Sequence, residues 1–508
     1  MWWGKGDDWR RTWGYDFKWT PDHRTKEELA HLMYSYDELA SECLDILDEI
    51  SPPPTPAQGR DKPPSSDTPP SSEKPPSSDT RPSSETPSPQ EPSSGPPPSP
   101  EPAPQPTKSS PSPPSHRDYH TLLKTHHASH PSLTRLWTDL TTIPPWADPL
   151  QLARGQAVFY RYAGPAIVGL TFQSLLGGMG SYRVVETLSR TGGFGVRVAR
   201  RRLLETFQHI LLVTRDIDSL LPGGEGWKSS VKVRFLHASV RRRILQLAKG
   251  EGKTGGRYYD VAAHGVPVND LDSIGTIAAF SSTLIWVSFP RQGIFLTSQE
   301  KEDFVALWRY VAHLLGAPTE PYFASVAQAR AIMESLMMTE IDPSPTSRTL
   351  ANNIIAALAN TPPSLASEGF LRAETRWLNG WELSDALDVP RPGVWYTVLV
   401  GAQCVFFMVV CYASRVVPAW DRRRIEGLKG RLHRITVALA GGGEAAHEFK
   451  YVPSLGVFTA REEGGGDKVM GEDGVERRNV KALAVAGTAM AALAWLGVRY
   501  ASRMFQKM

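Results

Sequence analysis

Residues 51–115 hold 24 of the chain's 43 prolines, and no packed core can run through them. Four consecutive hexamers, 63–68, 69–74, 75–80 and 81–86, are near-copies of the form Pro-Pro-Ser-Ser-acid-Thr. A six-residue period of Pro and Ser has no hydrophobic face, so it cannot stack as a solenoid repeat. Nor can it bury enough surface to offset the entropy of ordering. The stretch reads as a disordered, locally polyproline-like spacer. It splits the 508 residues into an N-terminal piece and a long main body.

The N-terminal piece carries Trp9, Trp13, Tyr15, Phe17 and Trp19, which would be costly to leave in water. They predict that residues 1–50 dock on a domain, with a helix over 26–50 that ends at Pro52-Pro53-Pro54. Beyond the spacer, residues 116–130 hold five of the thirteen histidines. Without a cysteine and with Asp118 as the one acid, they make a linker and no metal site. The 56 Lys and Arg nearly balance 53 Asp and Glu, so whole-chain charge gives no case for nucleic acid as a partner and leaves only local patches. Three cysteines exclude a disulfide scaffold.

The main body is helical by period. Candidate helices are 151–178, 196–220, 229–249, 270–289, 298–316, 323–338, 347–360 and 365–379, so the fold class is all-α. Two apolar runs follow. Residues 394–414 carry no charge over 21 positions, and 482–498 carry none over 17. The first is long enough to span a bilayer, the second is marginal, and a Lys/Arg-rich segment lies between them.

Two helices carry candidate chemistry. On 229–249 the stripe Val233, Leu236, Val240, Ile244 and Leu247 is apolar, and His237 lies beside it. Arg234 stands three residues before His237 and Arg241 four after, on the same flank. An imidazole facing an apolar pocket between two guanidinium groups suits a haem iron and its propionates. The competing reading is a core histidine on a basic helix. On the preceding helix, Arg202 and Thr206 lie one turn apart in an apolar wall, suited to donating to dioxygen at an iron. Here the alternative is an exposed arginine and a threonine bonded back into its own helix.

These residues, in order, make the chain similar to the rubber oxygenase (latex-clearing protein) superfamily. The resemblance is strongest to its fungal endoplasmic-reticulum branch, which includes the oxygenase of mycophenolic acid biosynthesis. It is carried by Arg154-Gly155-Gln156-Ala157-Val158-Phe159-Tyr160, Arg202-x-x-x-Thr206, and Arg234-x-x-His237-x-x-x-Arg241. Gly265-Val266-Pro267-Val268-Asn269, and Trp308-Arg309 leading into Leu314-Leu315-Gly316, complete it. The resemblance implies a globin-like all-α core holding one haem b, with His237 as the iron ligand. It implies that Arg202 and Thr206 line the opposite face. It also implies a base, Glu186, sixteen residues before Arg202. One departure stands out. Bacterial members carry a lysine just before the threonine, where this chain has Glu205.

The expected organisation is therefore a docking segment over 1–50 and a disordered insertion with a His-rich linker over 51–130. A haem oxygenase domain follows over 131–390, then an apolar helix with a basic segment over 391–460, and a linker with a terminal membrane helix over 461–508. The expected function is that of a membrane-bound oxygenase, in the endoplasmic reticulum, that cleaves a C=C bond of an isoprenoid-like lipid with dioxygen. Arg234 and Arg241 would hold the haem or brace the ligand helix. The alternatives are a haem-binding sensor or carrier without turnover, and a haem-free membrane scaffold.

Overall fold

Helix-starting signals recur along the chain, and the structure uses them. The computed structural model describes residues 6–52, 117–191, 194–249, 258–439 and parts of 474–499. The expected Pro/Ser spacer and most of the last apolar run lie outside the described residues. The remainder, on both sides of the spacer, belongs to one compact unit.

A short hairpin opens the fold, β1 (Trp9–Thr12) antiparallel to β2 (Tyr15–Lys18). It is the only sheet among the described residues. Its aromatics dock as expected, with Phe17 fully buried. Helix α1 (Glu38–Ile50) follows, its N-terminus capped by Asp37, whose carboxylate accepts from the Ala40 amide at 3.1 Å. After the spacer the His-rich segment is no linker. Asp118 caps α2 (Tyr119–His126), and Pro131 starts α3 (Pro131–Thr141). Leu123, Leu133, Leu136 and Leu140 draw both helices into the core.

The main body runs α4 (Pro149–Arg161), α5 (Ala163–Val168), α6 (Tyr182–Arg190), α7 (Val196–Thr214) and α8 (Glu225–Lys249). Then come α9 (Asp270–Phe280), α10 (Ser298–Leu314), α11 (Val326–Thr339), α12 (Pro345–Leu358) and α13 (Glu368–Ala386). Helices α14 (Val394–Val416) and α15 (Pro418–Leu439) close the described order. The fold is all-α, as the periodicity predicts.

Four expected helices are broken. The helix expected over 26–50 is interrupted at 34–37, and that over 196–220 at Arg215 and Asp216. The stretch 151–178 splits at Tyr162 (φ −111°, ψ 27°) because Pro165 has no amide to bond back, and it continues as a π-helical turn, Gly169–Leu176. The stretch 270–289 breaks at Ser281 into a second π turn, Leu284–Ser288, packed on the first. This stretch is apolar enough to cross a membrane, yet more than half of it is buried in the protein.

Two apolar cores result. The larger gathers Leu44, Leu136, Phe159, Trp227, Phe235 and Trp308; the smaller gathers Phe172, Ile354, Phe370 and Leu399. Helix α7 belongs to both, through Ala199 in the smaller and Ile210 and Leu211 in the larger. Arg202, buried, and Thr206, exposed, lie on the stretch of α7 between these contacts.

Candidate functional site

Helix α8 carries His237 and is fastened on every side. Trp227, Val231, Phe235 and Ala238 bury its inner face, and the Trp227 indole donates to the Leu140 carbonyl at 2.8 Å. His209 of α7 meets the Ser229 hydroxyl at 2.8 Å, which fixes the side of α8 that faces α7. At roughly 100° per residue, His237 lies about 80° round from Ser229, while Arg241 and Arg234 lie about 120° and 140° round. The imidazole thus stands between the α7-facing side and the arginine side, and it is half-buried. Its neighbours Leu236, Val240 and Ile244 pack with Tyr259 in a third, small apolar cluster.

The two arginines brace. Arg234 makes a two-point contact with Asp37, Nε to Oδ2 at 2.6 Å and Nη2 to Oδ1 at 3.1 Å. Asp139 stands 3.6 Å from its third nitrogen. Burial lowers the basicity of this guanidinium, but Asp37 and Asp139 outweigh it and hold the group above its ordinary value. Arg241 donates to the Ser41 hydroxyl and the Val268 carbonyl, both at 2.8 Å, and lies 4.6 Å above the Tyr36 ring. Both guanidinium groups bond acceptors that flank the helix, in the N-terminal segment, which crosses α8 here, and at 267–268.

The short motifs turn out to be the frame around this helix. Arg154 pairs with Asp303 at 2.9 and 3.0 Å. Next to it α4 crosses α10 so closely that a Cβ on Gly155 would sit 2.4 Å from the Asp303 carbonyl. The Gln156 amide donates to the Val213 and Asp216 carbonyls at 2.9 and 2.8 Å, holding the end of α7. In 265–269, Pro267 and Val268 offer carbonyls to Arg241, and Asn269 caps α9. Gly316 has φ +73°, and a Cβ there would fall 2.3 Å from Asp37 and 2.6 Å from Arg234. Only glycine fits beside that ion pair.

On the α7 side, Arg202 is buried and its Nη2 donates to Thr191, to the carbonyl at 2.7 Å and to the hydroxyl at 3.0 Å. It lies 5.4 Å above the Phe194 ring. It therefore holds the C-terminal end of α6, the helix that carries Glu186. The Glu186 carboxylate pairs closely with Arg190 on its own helix. An i,i+4 arginine is the nearest cation, so it takes the carboxylate first. Arg190 in turn donates to the Tyr258 carbonyl at 2.8 Å, and Thr187 lies 3.4 Å from the Tyr259 hydroxyl. Tyr259 is buried and belongs to the His237-side cluster, so it links the Glu186 helix to the His237 helix. Thr206 is exposed, and Glu205 is buried 3.8 Å from Arg201. Asp37 and Tyr259 were missed by sequence reasoning. Asp37 shows a local cap signal, but nothing local announces its partner 197 residues away.

Residues 160–406 match the family described as "ER-bound oxygenase mpaB/B'/Rubber oxygenase, catalytic domain". Over this stretch the chain is similar to the rubber oxygenase superfamily. The matched span contains Glu186, Arg202, Thr206, Arg234, His237 and Arg241. A rubber oxygenase of Streptomyces sp. (strain K30) is 22% identical over 281 residues, 54% of this chain. The chain spans 64% of that relative's length. A solved structure of latex clearing protein LCP in the closed state aligns with a TM-score of 0.44 at 19% identity, over 59% of this chain and 78% of that one.

The residues fit the iron-ligating half of a haem site. A half-buried imidazole beside Leu236, Val240 and Ile244 suits an iron in an apolar macrocycle.

Proposed function

We propose that this chain is a membrane-bound haem b oxygenase of the endoplasmic reticulum that cleaves a C=C bond of an isoprenoid-like lipid with dioxygen. Its catalytic domain is residues 131–390. The observation that carries the proposal is that one family match covers the two adjoining helices, α7 and α8, on which Arg202, Thr206 and His237 lie. His237 would hold the haem, which supplies the dioxygen chemistry when bound.

The chain's own residues do the rest. Thr206 presents a hydroxyl one turn from Arg202 and donates to an oxygen atom of the reacting pair. Arg202 keeps the α6 end in place through Thr191. Glu186, supported by Arg190, would accept the allylic proton of the substrate as its neighbouring double bond is attacked. It would return that proton to the product, since cleavage of C=C by O2 into two carbonyl groups removes no hydrogen. The carboxylate reaches that proton by turning away from Arg190, which stays anchored on Tyr258. The apolar walls around His237 exclude water and take up an isoprenoid chain.

The test is the absorption spectrum of the purified full chain with haem analysis. A Soret band that disappears in His237→Ala is expected, followed by oxygen consumption on prenyl lipids. Purified protein without haem, and unable to take it up, would overturn the proposal.

A further inference from the structure

Helix α14 is the most apolar long helix among the described residues, with a mean hydropathy of 2.0 in its best window. Its sequence alone reads as a bilayer span. Its packing does not. The helix is about 34 Å long at 1.5 Å per residue, and the folded unit touches it from end to end. Near its start Tyr396 lies against Gly369. In the middle the Gln403 amide bonds the buried Glu374 carboxyl of α13. Near its end Tyr412 donates to the Gly293 carbonyl at 3.0 Å, and Arg415 donates to the Phe295 carbonyl at 2.9 Å. A helix spanning the membrane in this setting would drag the polar body of the protein to bilayer depth.

The exposed side has a definite shape. Val394, Trp395, Val398, Val405, Phe406, Val409 and Val416 are all exposed. At about 100° per residue these seven fall within an arc of roughly 120°, and no charged residue interrupts it. The buried positions Leu399, Val400, Gln403, Cys404, Cys411 and Ser414 lie outside that arc, and the small side chain of Ala402 is the one buried position within it. A lipid-surrounded span would be apolar on all sides; here one side is apolar and bare and the other is set in protein.

The ends of the stripe are dressed for an interface. Exposed Trp395 lies near one end and exposed Trp420 just past the other, while Phe295, 61% exposed, flanks the far half. Arg391 precedes the helix, Arg415 closes it, and exposed Arg422 and Arg423 follow. Tryptophan at headgroup level and arginine toward lipid phosphates are the complement of a membrane surface. The C-terminal segment touches the same helix, where the Asn479 amide bonds Gln403 at 3.3 Å. Its described residues Val485 and Trp495 are themselves exposed, so these two do not cover the stripe.

We infer that α14 lies in the plane of an anionic lipid surface with its stripe sunk into the headgroup–acyl boundary, so that the folded unit sits on the membrane through this face. The stripe would reach about 5–10 Å below the headgroups along its whole length. This inference does not depend on the oxygenase proposal.

The test uses the full chain on phosphatidylcholine vesicles doped with phosphatidylserine. Val398→Cys, Val405→Cys and Val416→Cys are each labelled with an environment-sensitive dye; the native Cys43, Cys404 and Cys411 are buried. Lipid-borne quenchers at graded depths then read each position. Equal, shallow quenching at all three sites is the expected result. Deep quenching at 405 with shallow quenching at 398 and 416 would overturn the inference in favour of a span. No lipid quenching at any site would overturn it in favour of a protein cover, a second copy or the C-terminal segment. Circular dichroism of each labelled variant checks that the fold is kept, and the haem spectrum reports separately on the oxygenase proposal.

Discussion

Replacing Asp37 by Ala should loosen the helix that carries His237 without touching any residue of the proposed chemistry. The Asp37–Arg234 pair is shielded, with side-chain exposures of 12% and 5%, and is held by two bonds of 2.6 and 3.1 Å. Removing one partner of such a pair leaves a buried charge and costs about 3–5 kcal/mol. Asp139, 3.6 Å from the same guanidinium, takes up part of that charge, which sets the expectation at the lower end, near 3 kcal/mol. The same substitution removes the cap of α1, for about 1 kcal/mol more. A chain of this size shifts its midpoint by about 2 °C or less per kcal/mol, so a drop of roughly 5–8 °C is expected. The assay is thermal unfolding of Asp37→Ala, Arg234→Met and the double variant, followed by circular dichroism and haem absorbance together. The double variant should cost clearly less than the sum, with a coupling of about 2–3 kcal/mol. If the two single losses simply add, or if Asp37→Ala melts with wild type while Arg234→Met sheds haem, the bracing assignment is wrong.

Four further outcomes are expected. His237→Ala should lose haem while helical ellipticity stays nearly unchanged, read by absorbance and circular dichroism on one sample. Burial pushes the Glu374 carboxyl up to about 8, although its bond to Gln403 pulls the other way. The native state therefore keeps a proton there that the unfolded chain gives up at an ordinary carboxyl pKa. Stability should fall as pH rises from about 5 to 8 and level off above, and Glu374→Gln should flatten that slope in denaturant titrations. Glu186→Gln should keep the Soret band and lose about 10²-fold or more in oxygen consumption on an accepted prenyl lipid. Replacing residues 53–116 by a linker of about eight residues should raise stability by about 2 kcal/mol, from the smaller closure entropy, in a denaturant midpoint measurement.

Much of the fold was written in local signals. The helix expected at 229–249 is Glu225–Lys249, and that expected at 298–316 is Ser298–Leu314. Both are strongly periodic, and the second starts in a Thr297–Glu300 capping box. What escaped was tertiary. The π turns at Gly169–Leu176 and Leu284–Ser288 arise where two segments pack on each other, and neither segment alone shows it. The spacing of Arg234, His237 and Arg241 correctly placed three side chains on one flank of a helix. It could not tell whether the Arg234 guanidinium meets a propionate or Asp37, because both are carboxylates. Likewise an uncharged run of 21 residues has the same composition whether lipid surrounds it or touches one side.

The crossing of α8 by the N-terminal segment makes the first fifty residues a tethered ligand of their own core. Asp37 and Ser41 meet Arg234 and Arg241, while Asp45 and Asp48 take Arg242 at 2.7 and 2.6 Å. The chain leaves this surface after Ile50 and re-enters it beside the point of departure, where the Tyr119 hydroxyl bonds Asp48 at 2.9 Å. Occupancy is then governed by affinity multiplied by an effective concentration, which a covalent connection can set in the millimolar range. A cut within 53–116 would convert that intramolecular contact into a bimolecular one. Retention of the fragment would become dependent on dilution and, because its partners are carboxylates and guanidinium groups, on ionic strength. The tightness with which His237 is held would then follow the same two variables.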